Sequence, residues 1–157
     1  MAPSPQHADE TGALWFRSST EPHRHFKDAL DAAERGRLVV IEDSSSRAAV
    51  VDADRLRVTL SDLLTARPQA VAEADGWSLF IPGLPIGADA SSLDQAVADL
   101  VDALREYAAD WHAGLRSVPN HLAHWALFQL IDLSSDDQLR SWAVPESAVT
   151  LRSAGTP

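Results

Sequence analysis

The side chains best suited to chemistry in this chain are six histidines, and His112, His121 and His124 stand close together. His121 and His124 fall at i, i+3, so on a helix their imidazoles would share one face. Zinc would need a third ligand in tetrahedral reach, and no carboxylate stands at a familiar spacing such as His-Glu-x-x-His. The simpler reading makes them polar positions flanking Trp125, and no metal is expected. The chain has no cysteine, which excludes disulfides, thiol catalysis and Cys-ligated zinc. No serine sits in a Gly-x-Ser-x-Gly elbow, and no Ser/His/Asp order stands out. Ser44-Ser45-Ser46 reads as a hairpin turn. Asp99, Asp102, Glu106 and Asp110 lie at helical spacing, which could suggest a carboxylate metal site but fits a solvated helix face better. A Walker A loop and a dinucleotide glycine fingerprint are both missing. These residues offer no catalytic constellation and no cofactor site, so the expectation is a binding protein and not an enzyme.

What the chain can bind is suggested by its charge. The net charge of −10 argues against a protein that coats nucleic acid generally. Residues 1–68 hold nine basic residues against eleven acidic ones, whereas residues 69–115 hold Arg105 alone against eight acidic. A near-neutral half could approach phosphates, and an acidic half suits a basic partner. Candidate DNA contacts are Arg17, Arg24, Lys27 and Arg47. His23 and His25 bracket Arg24 and read either as phosphate contacts or as a solvated first turn. Trp77 and Trp111 fit a strand-on-helix core. Interface hot spots are rich in tryptophan, so Trp125, Phe128 and Trp142 join Asp102, Glu106 and Asp110 as candidate partner contacts.

The elements that must position these residues follow from periodicity. Leu14 to Arg17 is β-prone. Ser18, Ser19 and Thr20 can cap a helix whose apolar stripe is Phe26, Ala29, Leu30 and Ala33, with Gly36 where a C′ glycine belongs. Leu38–Ile41 and Ala48–Val51 read as a hairpin. Asp52 can cap a helix carrying Leu56, Leu60, Leu63 and Leu64, ended by Pro68. Ala70–Ala74 and Trp77–Ile81 form a second hairpin around Asp75-Gly76, and Ile86–Ala90 follows a Pro-Gly-Leu-Pro break as a third strand. Ser92 and Gln95 make a capping box for a helix striped by Leu93, Val97, Leu100, Val101, Leu104, Ala108, Trp111 and Leu115. Asn120 can cap an almost wholly apolar helix, which calls for burial on two faces or contact with another chain. Ser135 and Gln138 open a last short helix ended by Pro145.

The expected organisation is a disordered leader (1–13), a β-α-β-β-α module (14–66), an αβ unit (69–116), C-terminal helices (119–144) and a flexible tail (145–157). No apolar run approaches the roughly 18 residues a membrane helix needs. The start carries no export-signal pattern, so the expected address is the cytoplasm.

The segment FRSSTEPHRHFKDALDAAERGRLVVIEDSSSRAAVVDADRL resembles the Phd/YefM ("prevent-host-death") antitoxin module. The shared pattern is a short strand, a helix with Phe26 and Leu30 in its core, Gly36, a strand ending at Ile41, a tight turn and Ala48-Ala49-Val50-Val51. The resemblance covers about a third of the chain. It implies a homodimer formed through this module, binding to the operator of its own operon, and neutralisation of a toxin by a more C-terminal segment. Two positions depart from the family's pattern, because His23 and Asp43 stand where arginines are usual. The segment DGWSLFIPGLPIGADASSLDQAVADLVDALREYAADW is similar to HicB-like antitoxins, which cover the active surface of a toxin.

The fold class expected is α+β, a Phd/YefM-like module followed by a HicB-like unit and C-terminal helices. The function expected is the antitoxin of a type II toxin-antitoxin system, with a cognate toxin, a second copy of the chain and operator DNA as partners. A stand-alone dimeric DNA-binding regulator and a small metalloprotein or hydrolase are the alternatives.

Overall fold

The computed structural model describes residues 14–16, 26–42, 44–64 and 67–144. The leader, the expected caps at Ser18 to Thr20, and the tail lie outside the described residues. The architecture is α+β, and the chain divides into two compact units, Met1–Leu56 and Arg57–Pro157.

In the first unit, β1 (Leu14–Phe16) pairs in parallel with β2 (Val39–Glu42), and β2 pairs antiparallel with β3 (Arg47–Val50). Parallel neighbours need a crossover, and α1 (Phe26–Glu34) supplies it. The helix stops at Gly36, which takes φ 79°, a left-handed value that favours glycine. Its N–H donates to the Ala33 carbonyl at 2.9 Å, and Arg37 N–H donates to Ala32 at 2.9 Å. These two bonds make a Schellman cap, so the helix end is closed by the backbone itself.

The buried face of α1 differs from the expected stripe. Ala29, Ala32 and Ala33 are buried, Ala29 and Ala32 in a cluster with Val39, while Phe26 is 63% and Leu30 46% exposed. Three alanines at i, i+3, i+4 let the helix lie close to the sheet, and the larger side chains flank the contact. Phe26 and Leu30 are therefore not core residues within one copy of the chain.

After the hairpin, Asp52 caps α2 (Ala53–Leu63), its carboxylate accepting from Arg55 N–H at 2.9 Å. The boundary between the units falls inside this helix. The C-terminal half of α2, with Leu60 at 2% exposure, belongs to the second unit.

There, β4 (Gln69–Glu73), β5 (Gly76–Phe80) and β6 (Gly87–Ala90) form an antiparallel meander. The register pairs Glu73 with Gly76, so the two-residue turn is Ala74-Asp75, one place earlier than Asp75-Gly76. Gly76 has a different duty. A Cβ there would lie 2.2 Å from the Ala90 carbonyl oxygen, so only glycine lets β6 end so close.

Helix α3 (Leu93–Ala113) covers the sheet with Leu93, Ala96, Val97, Leu100, Val101, Leu104 and Ala108. The Ser92 hydroxyl accepts from Gln95 N–H at 3.2 Å, but the Gln95 amide donates to Asp99 at 2.7 Å instead of completing the expected box. Two short 3-10 turns follow, Leu115–Ser117 and Pro119–His124. Asn120 therefore sits inside a 3-10 turn and does not cap the next helix. That helix, α4 (Trp125–Leu133), buries Ala126, Leu127, Phe128, Leu130 and Ile131. The box at Ser135 and Gln138 forms in full and opens α5 (Asp136–Ala143).

Both C-terminal helices pack on α3, and Arg105 fastens them. Its Nη1 donates to the Ile131 carbonyl and its Nη2 to the Ser134 carbonyl, each at 2.7 Å. Nη2 also reaches Asp136 Oδ1 at 2.8 Å and Nε reaches it at 3.1 Å. A hydrogen bond from a charged donor contributes about 1.5–3 kcal/mol when well sheltered. Because the Arg105 side chain is 37% and Asp136 64% exposed, the ion pair itself is discounted for solvent screening. Arg105→Ala should lower unfolding stability by about 2–3 kcal/mol in urea titration, against about 1 kcal/mol or less for Asp136→Asn. Arg105→Lys should not restore it, since an ammonium cannot span the same fork of acceptors.

Candidate partner-binding surfaces

The three histidines singled out in the sequence do not converge. His112 Nε2 meets Asp132 Oδ2 at 2.8 Å on the surface. The Tyr107 hydroxyl, five residues earlier on α3, contacts His121 Nδ1 and lies 3.5 Å from His124 Nδ1. One phenol has one proton to give, so it donates to one ring and accepts an N–H from the other. The cluster pins the Pro119–His124 turn to α3 and sets the point where α4 begins. Among the described residues, no group of three or more His, Cys, Asp or Glu could hold a metal ion. Tyr107's part was not legible from its position, because a lone tyrosine fits any half-buried helix position.

The acidic residues behave as one surface. Asp102, Glu106 and Asp110 recur at i, i+4, i+8 on α3 and all are exposed. Trp125 follows His124 directly and is 49% exposed, an unusual display for so large an apolar side chain. Phe128 and Trp142 are corrected by the structure, with 0% and 9% exposure respectively. Phe128 stacks on Trp111 at 4.5 Å between ring centroids, and Trp142 packs within α5's buried side. Both lie in the core and are not available as surface contacts. Trp111 and Trp77 are half-buried.

In the first unit, Lys27 and Arg47 are exposed. Arg17 and Arg24 lie outside the described residues, as do His23 and Asp43. Arg47 stands directly across the hairpin from Glu42. Phe26, Leu30, Leu38 and Val51 leave 63%, 46%, 46% and 39% of their surface exposed in this same small unit. These exposed large apolar side chains were not foreseen as surface.

A solved structure shares this architecture. It is from Syntrophomonas wolfei subsp. wolfei and is described as an antitoxin part of a proposed toxin/antitoxin system. The likeness has a TM-score of 0.68 at 18% identity and covers 82% of this chain and 95% of that one. Because 82% exceeds the share of either unit, the likeness draws on both. At this identity the likeness is one of fold. No family model matches the chain, and no curated protein sequence does either. No helix among the described residues is long and apolar enough to cross a membrane.

Burial, with His121 beside it as the smaller cause, lowers the pKa of His124 below the ordinary value of 6.5. The unfolded chain therefore takes up this proton at a higher pH than the folded chain does. The folded state holds its full advantage above the ordinary histidine value and loses it as pH falls toward the depressed one. Thermal unfolding followed by circular dichroism between about pH 7.5 and 5.5 should show wild type losing more stability than His124→Gln.

Proposed function

We propose that this protein is the antitoxin of a type II toxin-antitoxin system, acting in the cytoplasm as a homodimer that neutralises a toxin by direct binding. The observation that carries the reading is the likeness over 95% of a solved chain described as an antitoxin. The toxin contact is assigned to Asp102, Glu106 and Asp110 on α3 together with Trp125. Most toxins of this type act on RNA and need a basic active surface, so an acidic helix can compete with the substrate's phosphates. Trp125 supplies the apolar anchor that charge alone lacks. Its N-terminal unit is of Phd/YefM type and its α3-bearing unit of HicB-like type, a division of labour between assembly and toxin capture. Autoregulation at the operator would fall to Lys27 and Arg47, with Arg17 and Arg24.

Co-expression with the product of the adjacent gene is the decisive experiment. That product should be toxic alone, harmless alongside this protein, and recovered in complex with it. A harmless or unbound neighbour defeats the reading. Glu106→Lys combined with Asp110→Lys should weaken the complex by about tenfold or more, chiefly through slower and less salt-sensitive association.

The homodimer is assigned to the exposed apolar residues of the first unit, Phe26, Leu30, Leu38 and Val51. Light scattering should give twice the chain mass for wild type, and Phe26→Ser with Leu30→Ser should give the single-chain mass with native circular dichroism. A wild-type protein that is monomeric at micromolar concentration sinks this assignment.

A further inference from the structure

The sheet of the second unit ends at β4, and that edge is open. β4 stands first in the order β4-β5-β6, takes no strand but β5, and exposes four of its five residues. Edge strands are usually blunted by a lysine, an internal proline, a bulge or an inward charge. β4 reads Gln69-Ala70-Val71-Ala72-Glu73 and has none of these, and its register with β5 runs unbroken over all five residues. The opposite edge, β6, carries Asp89 within its four residues. The turn makes Glu73 and Gly76 a hydrogen-bonded pair, and bonded and unbonded pairs alternate along an antiparallel ladder. Val71 is therefore bonded to Ser78, while the N–H and C=O of Ala70 and Ala72 point away from β5. Ala70 pairs with the fully buried Leu79, so both alanines lie on the core side of the sheet, where α3 crosses β5 and β6. Gln69, Val71 and Glu73 lie on the other side with Phe80, and Val71 and Phe80 are 47% and 37% exposed.

We propose that β4 pairs antiparallel with β4 of a second copy, about a two-fold axis at Val71, so that two three-stranded sheets become one. The strand is complementary to itself in that register. Ala70 of each copy meets Ala72 of the other, and their outward N–H and C=O groups bond to one another. Val71 stands opposite Val71 of the other copy in an unbonded pair, where side chains come closest. Phe80 reaches Val71 diagonally across the β4–β5 pair, so an apolar stripe of Phe80 and Val71 in one copy continues into Val71 and Phe80 of the other. Charge is complementary as well. Each Glu73 carboxylate faces a Gln69 amide, and the two carboxylates stand roughly 13 Å apart, beyond a Debye length of about 8 Å. Ala70 and Ala72 at the seam are small, which keeps the core side of the joined sheet uncrowded. Five-residue strands bury far less than the roughly 1,200 Å² of a stable complex, so the contact is weak by itself. It is separate from the apolar residues of the first unit and does not rest on the antitoxin reading.

The chain has no cysteine, so single introduced thiols in the full-length protein report the register directly. Under a mild oxidant at about 0.5 mM chain, Val71→Cys should form a disulfide-linked pair about tenfold or more faster than Asp89→Cys, because unbonded pairs lie within disulfide reach. Gln69→Cys and Glu73→Cys should each link no faster than Asp89→Cys alone, and should link rapidly to each other when mixed. Ala72→Pro added to Val71→Cys removes an outward N–H and leaves the bonds to β5, so the melting temperature should hold while the fast linkage is lost. In wild type, hydrogen exchange at the Ala70 and Ala72 amides should slow by about twofold or more between about 10 µM and 1 mM. The pairing is overturned if Val71→Cys links no faster than Asp89→Cys, if Gln69→Cys links as fast alone as in the mixture, or if exchange does not change with concentration. Protection of these amides that arises only on adding the adjacent gene's product gives the edge to that protein and overturns the proposal as well.

Discussion

A helix ends with carbonyls that have no partner inside it, and in the second unit the cation that answers them comes from a different helix. Arg105 closes the last turn of α4 through Ile131 and Ser134 and holds the first residue of α5 through Asp136. One planar group thus fixes the corner between two helices and ties both to α3. Only arginine presents enough donors in a fixed fork to do this. The consequence reaches the surface. Arg105 is the only arginine or lysine in the whole of α3, and it is turned toward the helical corner. What remains outside is Asp102, Glu106 and Asp110, with no lysine or arginine of the same helix to neutralise them. The packing requirement and the acidic face are two results of one placement.

The first unit is built on a thinner foundation. Its buried cluster is Ala29, Ala32 and Val39, with Ile41 and Val50 partly covered. Alanine contributes little apolar area, and small domains bury a low fraction of their surface. Meanwhile Phe26, Leu30, Leu38 and Val51, which could bury far more, stay half in water. On α1 the alanines lie inside the core and the large side chains Phe26 and Leu30 outside it. A second copy covering them would supply what the alanine-lined contact does not, which is the physical case for the proposed homodimer.

Much of this was legible in the sequence wherever a local rule governed the outcome. Gly36 announced a helix end because left-handed backbone favours glycine, and Ser135 with Gln138 announced a start because both partners of a capping box lie within one turn. The stripe on α3 read correctly from Leu93 to Ala108 because a long amphipathic helix repeats its signal many times. Where an outcome depended on distant residues, the reading slipped. Periodicity could not tell which side of α1 meets the sheet, since Phe26 and Leu30 share a stripe with Ala29 and Ala33. The Gln95 amide had two acceptors in reach and took Asp99. Phe128 and Trp142 looked like surface because hydropathy exceeded what one small core should hold, yet α3, α4 and α5 enclose them together. Arg105 entered only as the one basic residue of 69–115, because its acceptors lie 26 to 31 residues away.

Charge decides how the proposed activities rank against each other. Phosphate attraction sets the scale of nucleic-acid affinity, and it is a sum over the whole surface as well as over single contacts. Here the total is −10, and of the two described candidate contacts one, Arg47, stands across the hairpin from Glu42. Oppositely charged residues at directly paired positions attract one another and leave less field for a third group. Lys27 has Asp28 as its neighbour in the first turn of α1, where a carboxylate already serves the helix dipole. The acidic residues of α3 have no such counterweight within their helix. An encounter with a basic protein is therefore favoured by both the local and the global field, whereas an encounter with DNA must overcome the global one. Capture of a basic partner is the activity that this distribution of charge supports first.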